Sequence, residues 1–329
     1  NQNYEAITFL KHLNSIVAQR NPGAMMIAEE STAWPKVTGD VEDGGLGFTY
    51  KWNMGWMHDF LEYMKCDPIF RKYHQNQITF SFMYAYSENY VLVLSHDEVV
   101  HLKKSMIYKM PGTMPEKFGN LRAAYGLMMM HPGKKLLFMG QDFAQTAEWN
   151  EAKSLDWHLL EKYPEHQQLN HYYCDLLHFY QNEPALYELD DSPEGFAWIN
   201  GSDAEHNMLT FCRMTKDKKN CLLCHFNFSP VAYENFQSGV LCPGTYTEVF
   251  NSNAAEYGGT GLVNPEPIEA VKESWDFKDY SIKYHLGAYG VCIFKFDYVE
   301  PKPEEPQKPA KRYTKEDIHK LAGHYKKVK

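Results

Sequence analysis

Three short stretches decide how this chain folds. Ala24-Met-Met-Ile-Ala28 runs into Glu29-Glu30-Ser31, Tyr90-Val-Leu-Val-Leu94 into Ser95-His96-Asp97-Glu98, and Lys135-Leu-Leu-Phe-Met139 into Gly140-Gln141-Asp142. Each is apolar on successive residues rather than alternating, and each stops abruptly at polar side chains. A run apolar on both sides suits a strand of a parallel sheet covered on both faces.

Working outward, the segments between these runs read as helices. Residues 3–19 carry Ala6, Leu10, Leu13 and Val17 at helical spacing, and Asn21-Pro22-Gly23 ends that pattern. Leu46-Gly47-Phe48 precedes Lys51-Trp52-Asn53, and a helical stretch follows to about Met64. A third covers about 116–130, closed by His131-Pro132-Gly133, and a fourth about 170–182. This alternation predicts an α/β region with a parallel sheet, about four strand–helix units before residue 185. A closed (β/α)8 TIM barrel takes roughly 250 residues, so there is room for about half of one.

After Pro184 the pattern changes. Phe196–Ile199, Met208–Arg213, Cys221–Phe228, Thr245–Phe250 and Tyr289–Phe296 are short β-branched or aromatic runs separated by Gly, Asn, Pro and Asp. They predict an antiparallel β-sandwich. The expected organisation is 1–185 α/β, 186–299 all-β, and 300–329 a charged Pro/Lys-rich, disordered tail with room for a short helix at 314–326.

Of the 329 residues, 44% are hydrophobic and 23% charged, with a net charge of −9. That suits a globular chain and disfavours nucleic acid or an anionic membrane as partner. Aromatics reach 15%, which suits sugar platforms but equally a Tyr-rich core. No signal peptide and no run of about eighteen apolar residues appears. Seven cysteines, mostly in apolar runs, suit reduced thiols in the cytoplasm. Cys221 and Cys224 have CxxC spacing but no second pair or His cluster nearby, so they read as core residues. Residue 1 is Asn and a helix begins almost at once, which reads as a fragment of something longer.

Active sites of α/β barrels lie at the C-terminal ends of the strands, which directs attention to the polar residues after the apolar runs. Glu29, at such an end, can serve as a proton donor if burial raises its pKa. By position alone, Glu29 or Glu30 merely capping the next loop is equally good. His96-Asp97 can bind sugar hydroxyls; a helix N-terminus capped by Ser95 is the plain alternative. A metal site is the weaker reading because no HExxH spacing is present. Trp52, Trp56, Trp149 and Trp157 can stack on sugars or fill the core. Gly44-Gly45-Leu46-Gly47 lacks the Lys and Ser/Thr of a phosphate loop, and neither a GxSxG elbow nor a GxGxxG fingerprint occurs.

Together these residues resemble one family. Met26-Ile-Ala-Glu-Glu-Ser-Thr32 resembles the fifth-strand motif of the α-amylase superfamily in its bacterial 1,4-α-glucan (glycogen) branching-enzyme form. Leu94-Ser-His-Asp-Glu-Val-Val-His101 resembles the seventh-strand motif. Gly44–Phe48, Lys51–Asp59, Pro132–Gly140 and Ser154–Leu160 are further matches, and the string at 51–59 is typical of branching enzymes. Leu102 stands where the family usually has Gly and can crowd the loop; Gln141-Asp142 stands for the usual Asn-Glu.

The resemblance implies the C-terminal half of a (β/α)8 barrel followed by an all-β sandwich domain. It implies a retaining transglycosylase that cleaves α-1,4 glucan and forms α-1,6 branches in glycogen biosynthesis. Glu29 would be the general acid/base, Asp97 the transition-state stabiliser, and His96, Trp52, Asn53 and Trp56 substrate-binding residues. The family's nucleophile, an Asp on the fourth strand, would lie upstream of Asn1, so the chain alone is expected to be inactive. No cofactor or metal is expected, and the full-length form would be a cytoplasmic monomer acting on glycogen or amylose-like chains. A related debranching-type hydrolase and a non-catalytic glucan-binding protein are the alternatives.

Overall fold

A computed structural model of the chain describes residues 2–300. The tail expected beyond residue 300, with its short helix, lies outside the described residues. The chain through Tyr298 forms one compact unit.

Four parallel strands, β1 (Ile27–Ala28), β2 (Tyr50–Trp52), β3 (Tyr90–Leu94) and β4 (Lys134–Leu137), pair in sequence order. Helices Tyr4–Arg20, Met54–Lys65, Met114–Met130 and Pro164–Asn182 precede, separate and follow them. The last starts earlier than expected, with Pro164 at its first turn, where a missing N–H is harmless. β3 is buried as its composition demands, with Leu92, Val93 and Leu94 fully inaccessible. The first run behaves differently. It pairs only over Ile27–Ala28, and Met25 and Ile27 are 64% and 46% exposed. The physical reason is position: β1 is the edge of this sheet, bonded to β2 alone among the described residues.

The Met54–Lys65 helix begins where Asn53 Oδ1 accepts the Trp56 N–H at 2.9 Å, capping one of the free donors of the first turn. Its buried stripe is Trp56, Met57, Phe60, Leu61, Tyr63 and Met64. The Met114–Met130 helix opens with a Thr113/Glu116 capping box and is buried on all sides from Phe118 to Met130. It is enclosed because it packs on the Pro164–Asn182 helix and also on strands from the second half of the chain. At Gly126 an added Cβ would lie 2.8 Å from Val291 Cγ2, so glycine permits that close approach.

Strands β5 (Phe196–Asn200), β6 (Met208–Arg213), β7 (Cys221–Asn227), β9 (Thr245–Asn251), β10 (Ile268–Glu269) and β12 (Val291–Phe296) form an antiparallel sheet in the order β10-β9-β12-β7-β6-β5. A ribbon of β8 (Tyr233–Val240) and β11 (Tyr280–Leu286) forms a separate two-stranded sheet. Alternation divides the large sheet's side chains. Met208, Cys212, Cys221, Leu223 and Phe294 join Ile282 and Tyr284 of the ribbon in one core. Leu209, Phe211, Leu222, Cys224 and Ile293 join the helices in the other. Cys221 and Cys224 therefore point to opposite faces, both buried, and among the described residues no disulfide is formed.

Two histidines make the fold acid-sensitive. His131 donates from Nδ1 to the Pro132 carbonyl at 2.7 Å and accepts the Ser81 hydroxyl at Nε2, 2.8 Å away. His225 sits on β7 between the two sheets. Burial pushes each down to about 3. Between that value and the ordinary 6.5, the unfolded chain binds protons that the folded chain refuses, so stability falls as pH drops below 6.5. Each histidine contributes a slope approaching about 1.4 kcal/mol per pH unit in that window. The urea midpoint should fall between pH 7.5 and 5, and His131→Asn should flatten the fall. A midpoint constant over that range would contradict this account.

Candidate functional site

The C-terminal ends of the four parallel strands gather at one end of the sheet. After β1, the two adjacent glutamates part company. Glu30 accepts from Lys51 Nζ at 2.8 Å and from the Thr32 N–H at 2.7 Å. Partial burial opposes its ionisation, but these donors outweigh burial and hold its carboxyl below the usual range. Lys51 is buried on β2 and also donates to the Thr32 carbonyl. Glu29 is exposed, and among the described residues its carboxyl forms no hydrogen bond or ion pair. Glu30 is thus fixed as an anion by a buried base, whereas Glu29 is uncommitted.

Past β3, Ser95-His96-Asp97-Glu98 enters a short 3-10 turn over His96–Val99 rather than a longer helix. His96 Nε2 lies 3.2 Å from Asp97 Oδ1, and both side chains are nearly half exposed. The His96 ring is wedged against Phe138 and Trp149, with centroids 5.9 and 5.8 Å away. Trp149 reaches this place because its N–H donates to the Val99 carbonyl at 2.9 Å. Next to them is Glu98, buried and 3.4 Å from Lys103 Nζ.

The loop that follows is strained. His101, Leu102 and Lys104 have φ of 55°, 66° and 69°, a region uncommon for residues other than glycine. Glu148 holds it by accepting from the N–H groups of Leu102 at 3.0 Å and Lys104 at 2.6 Å. The Leu102 side chain does not crowd the loop as the sequence suggested: it is 95% exposed.

The remaining expected residues divide. Trp52 is half-buried against the main core. Asn53 is buried, its Oδ1 occupied by the Trp56 N–H and by the Tyr84 hydroxyl at 3.3 Å. Trp56 is corrected by its packing. It is 2% exposed and stacked on Phe60 at 4.7 Å, so no ring face is open to a ligand. Trp157 is exposed, leaning on Phe143. Burial raises the Asp142 carboxyl despite hydrogen bonds from the Gly140 N–H and Asn170. Asn53 Nδ2, Ser95 Oγ and Gln141 Oε1 are buried with no protein partner. These orphaned polar atoms follow β2, β3 and β4 respectively, and buried polar groups ordinarily find partners.

The family described as alpha amylase, C-terminal all-beta domain, matches residues 198–297. The chain is 50% identical over 302 residues to the 1,4-alpha-glucan branching enzyme GlgB of Butyrivibrio fibrisolvens, covering 92% of this chain and 47% of that protein. This chain is a relative of the 1,4-alpha-glucan branching enzymes. GlgB of Halothermothrix orenii is 49% identical over 294 residues, covering 89% of this chain and 46% of that one. GlgB of Geobacillus stearothermophilus is 47% identical, with the same coverage. The chain thus spans about half the length of the branching-enzyme relatives it matches. In three dimensions it resembles an alpha-amylase from H. orenii, with a TM-score of 0.57 over 89% of this chain and 57% of that one. At 15% identity that likeness speaks for the fold alone.

Lys51, Glu98 and Glu148 were missed as site residues. A charge within the strand Tyr50–Trp52 is itself a signal, since lysine is rarely fully buried unless paired. The reach of Trp149 to His96 depends on a loop contact that the sequence does not display. Among the described residues no helix is long and apolar enough to cross a membrane.

Proposed function

We propose that this chain supplies the acid/base half of a 1,4-α-glucan branching enzyme's catalytic centre, built on the second half of a (β/α)8 barrel over residues 1–185, with residues 186–299 as the all-β domain. The observation that carries the proposal is the disposition of Glu29 and His96-Asp97 at the same end of one parallel sheet, in a chain related to branching enzymes.

Glu29 protonates the departing oxygen of an α-1,4 bond and then, as a base, deprotonates the 6-hydroxyl of an acceptor glucan, giving an α-1,6 branch with retention. Asp97 stabilises the positive charge that develops on the sugar ring in the transition state. His96 and Trp52 contact the sugar, Asn53 contributes its unpartnered Nδ2, and Trp56 supports Asn53 from within the core. Retention by double displacement also requires a nucleophilic carboxylate, for which no residue of this chain is assigned. The ligand is a glycogen or amylose-like chain, and the enzyme works as a monomer in the cytoplasm, a setting consistent with cysteines that form no disulfide among the described residues.

Linkage analysis tests the reaction class. Amylose treated with the enzyme should gain α-1,6 linkages with little new reducing sugar. Reducing ends formed without new α-1,6 linkages would replace the transferase with a hydrolase.

A further inference from the structure

The loop that continues the His96–Val99 turn is held in an unfavourable shape, and the residue that holds it lies outside the candidate catalytic set. His101, Leu102 and Lys104 all have positive φ, between 55° and 69°. Such backbone costs free energy in residues other than glycine and persists only where surrounding contacts over-determine it. Every residue from His101 to Lys104 is exposed, so core packing does not set the path of this loop.

Polar contacts set it instead. Glu148 accepts one backbone N–H on each carboxylate oxygen, from Leu102 on Oε2 at 3.0 Å and from Lys104 on Oε1 at 2.6 Å. A carboxylate suits this task because it offers two acceptor oxygens and no donor. Between those two residues, the Lys103 carbonyl accepts from the buried Lys109 Nζ at 2.6 Å. The Lys103 N–H closes onto the Val100 carbonyl at 3.1 Å.

A separate set of contacts runs from this loop to Asp97. Lys103 Nζ lies 3.4 Å from Glu98, which is buried in the same 3-10 turn as His96 and Asp97. Trp149, next to Glu148 in the chain, donates its N–H to the carbonyl of Val99, the last residue of that turn, at 2.9 Å. Its ring centroid is 5.8 Å from that of His96. Glu148 and Trp149 therefore grip both the turn and the loop that continues it. Among the described residues the Asp97 carboxylate meets only His96, at 3.2 Å. Its placement thus depends on the backbone that carries it.

We infer that Glu148 is a positioning residue for the transfer reaction: by holding the 102–104 loop it fixes the turn that bears Asp97, so that the Asp97 carboxylate is in place before charge develops on the sugar ring. Catalysis by charge stabilisation depends on such advance placement. The inference rests on the proposed role of Asp97 and adds a residue that acts only through the backbone it holds.

Kinetics of Glu148→Gln in the whole enzyme test this. Glutamine keeps the size of the side chain but turns an NH2 donor towards one of the two backbone N–H groups. The kcat should fall about ten- to hundredfold, while KM for amylose stays within about twofold and the unfolding midpoint holds. Leu102→Gly added to Glu148→Gln should restore most of the kcat, because glycine adopts φ near 66° without the side-chain penalty. In an Asp97→Asn enzyme, Glu148→Gln should cost no more than about threefold, since no carboxylate is left to place. Should the midpoint fall as well, that last comparison still separates positioning from folding, because a folding defect lowers both enzymes alike. An unchanged kcat, a loss that Leu102→Gly does not restore, or an equal loss with and without the Asp97 carboxylate overturns the inference. A Glu148-dependent kcat that Leu102→Gly restores, in an enzyme whose products carry no α-1,6 linkages, would remove the branching assignment and leave the role of Glu148 standing.

Discussion

Replacing Asp97 with Asn should lower transglycosylation in the enzyme by about 10²–10³-fold, the usual consequence of removing one group that stabilises transition-state charge. The side chain is nearly half exposed, with His96 Nε2 at 3.2 Å as its near partner, so little folding energy depends on it and the protein should fold normally. Glu29→Gln should cost about 10²–10⁴-fold, the span of general acid–base catalysis. The two losses are separable by leaving group. A substrate whose leaving group departs without protonation should largely restore the first step in Glu29→Gln. It should not help Asp97→Asn, because charge still develops on the ring. Glu30→Gln is the internal control. Its carboxylate is committed to Lys51 and Thr32, so its loss should leave the leaving-group dependence untouched. If Glu30→Gln, rather than Glu29→Gln, is rescued by the better leaving group, the acid has been assigned to the wrong neighbour.

The family resemblance singles out Glu29, but strand position alone does not distinguish the neighbouring glutamates, for a physical reason. Periodicity locates the end of a strand but not which of two adjacent carboxyls meets a base on the next strand. Lys51, buried opposite Ala28 in the parallel register, settles it for Glu30. Burial likewise separates two tryptophans four residues apart. Trp56 lies on the inward stripe of its helix, whereas Trp52 precedes the Asn53 cap. The spacing of Trp56, Phe60 and Tyr63 was itself a helical core signature.

Strands were legible where they are covered on both faces. β3, β6 and β7 stand within a residue or two of where their apolar runs suggested. β8 and β11 were missed because the ribbon has one covered face and one wet one. Tyr280–Leu286 alternates Tyr, Ile, Tyr and Leu with Ser, Lys and His, a period-2 pattern. Tyr233–Val240 carries Glu, Asn, Gln, Ser and Gly and owes its structure to pairing with β11.

Removing the Asp190 carboxylate should be the most damaging change to stability. Asp190 accepts from the Gly133 N–H at 2.8 Å, Lys134 at 3.0 Å and Arg213 at 3.1 Å, and its side chain is 6% exposed. Arg213, fully buried on β6, also donates to the carbonyls of Met130 at 2.7 Å and Leu186 at 3.2 Å. One ion pair thus joins the end of a buried helix, the start of β4 and a central strand of the antiparallel sheet. Burial opposes the charge on Asp190, but Lys135, Arg213, Lys134 and the Gly133 N–H outweigh it and hold its pKa below the usual carboxylate value. Its contribution is therefore complete above about pH 4 and is lost as pH falls through the lowered pKa. Asp190→Ala strands the buried guanidinium and should cost about 3–5 kcal/mol at neutral pH, a large part of the roughly 5–15 kcal/mol that holds a typical protein folded. Pairing Asp190→Leu with Arg213→Met removes both charges together and should recover part of the loss, because the penalty lies in the unpaired charge. Denaturant unfolding of the single and double variants measures both quantities. A double variant as unstable as the sum of its singles would mean that the carbonyl contacts of Arg213, and not the ion pair, hold this junction together.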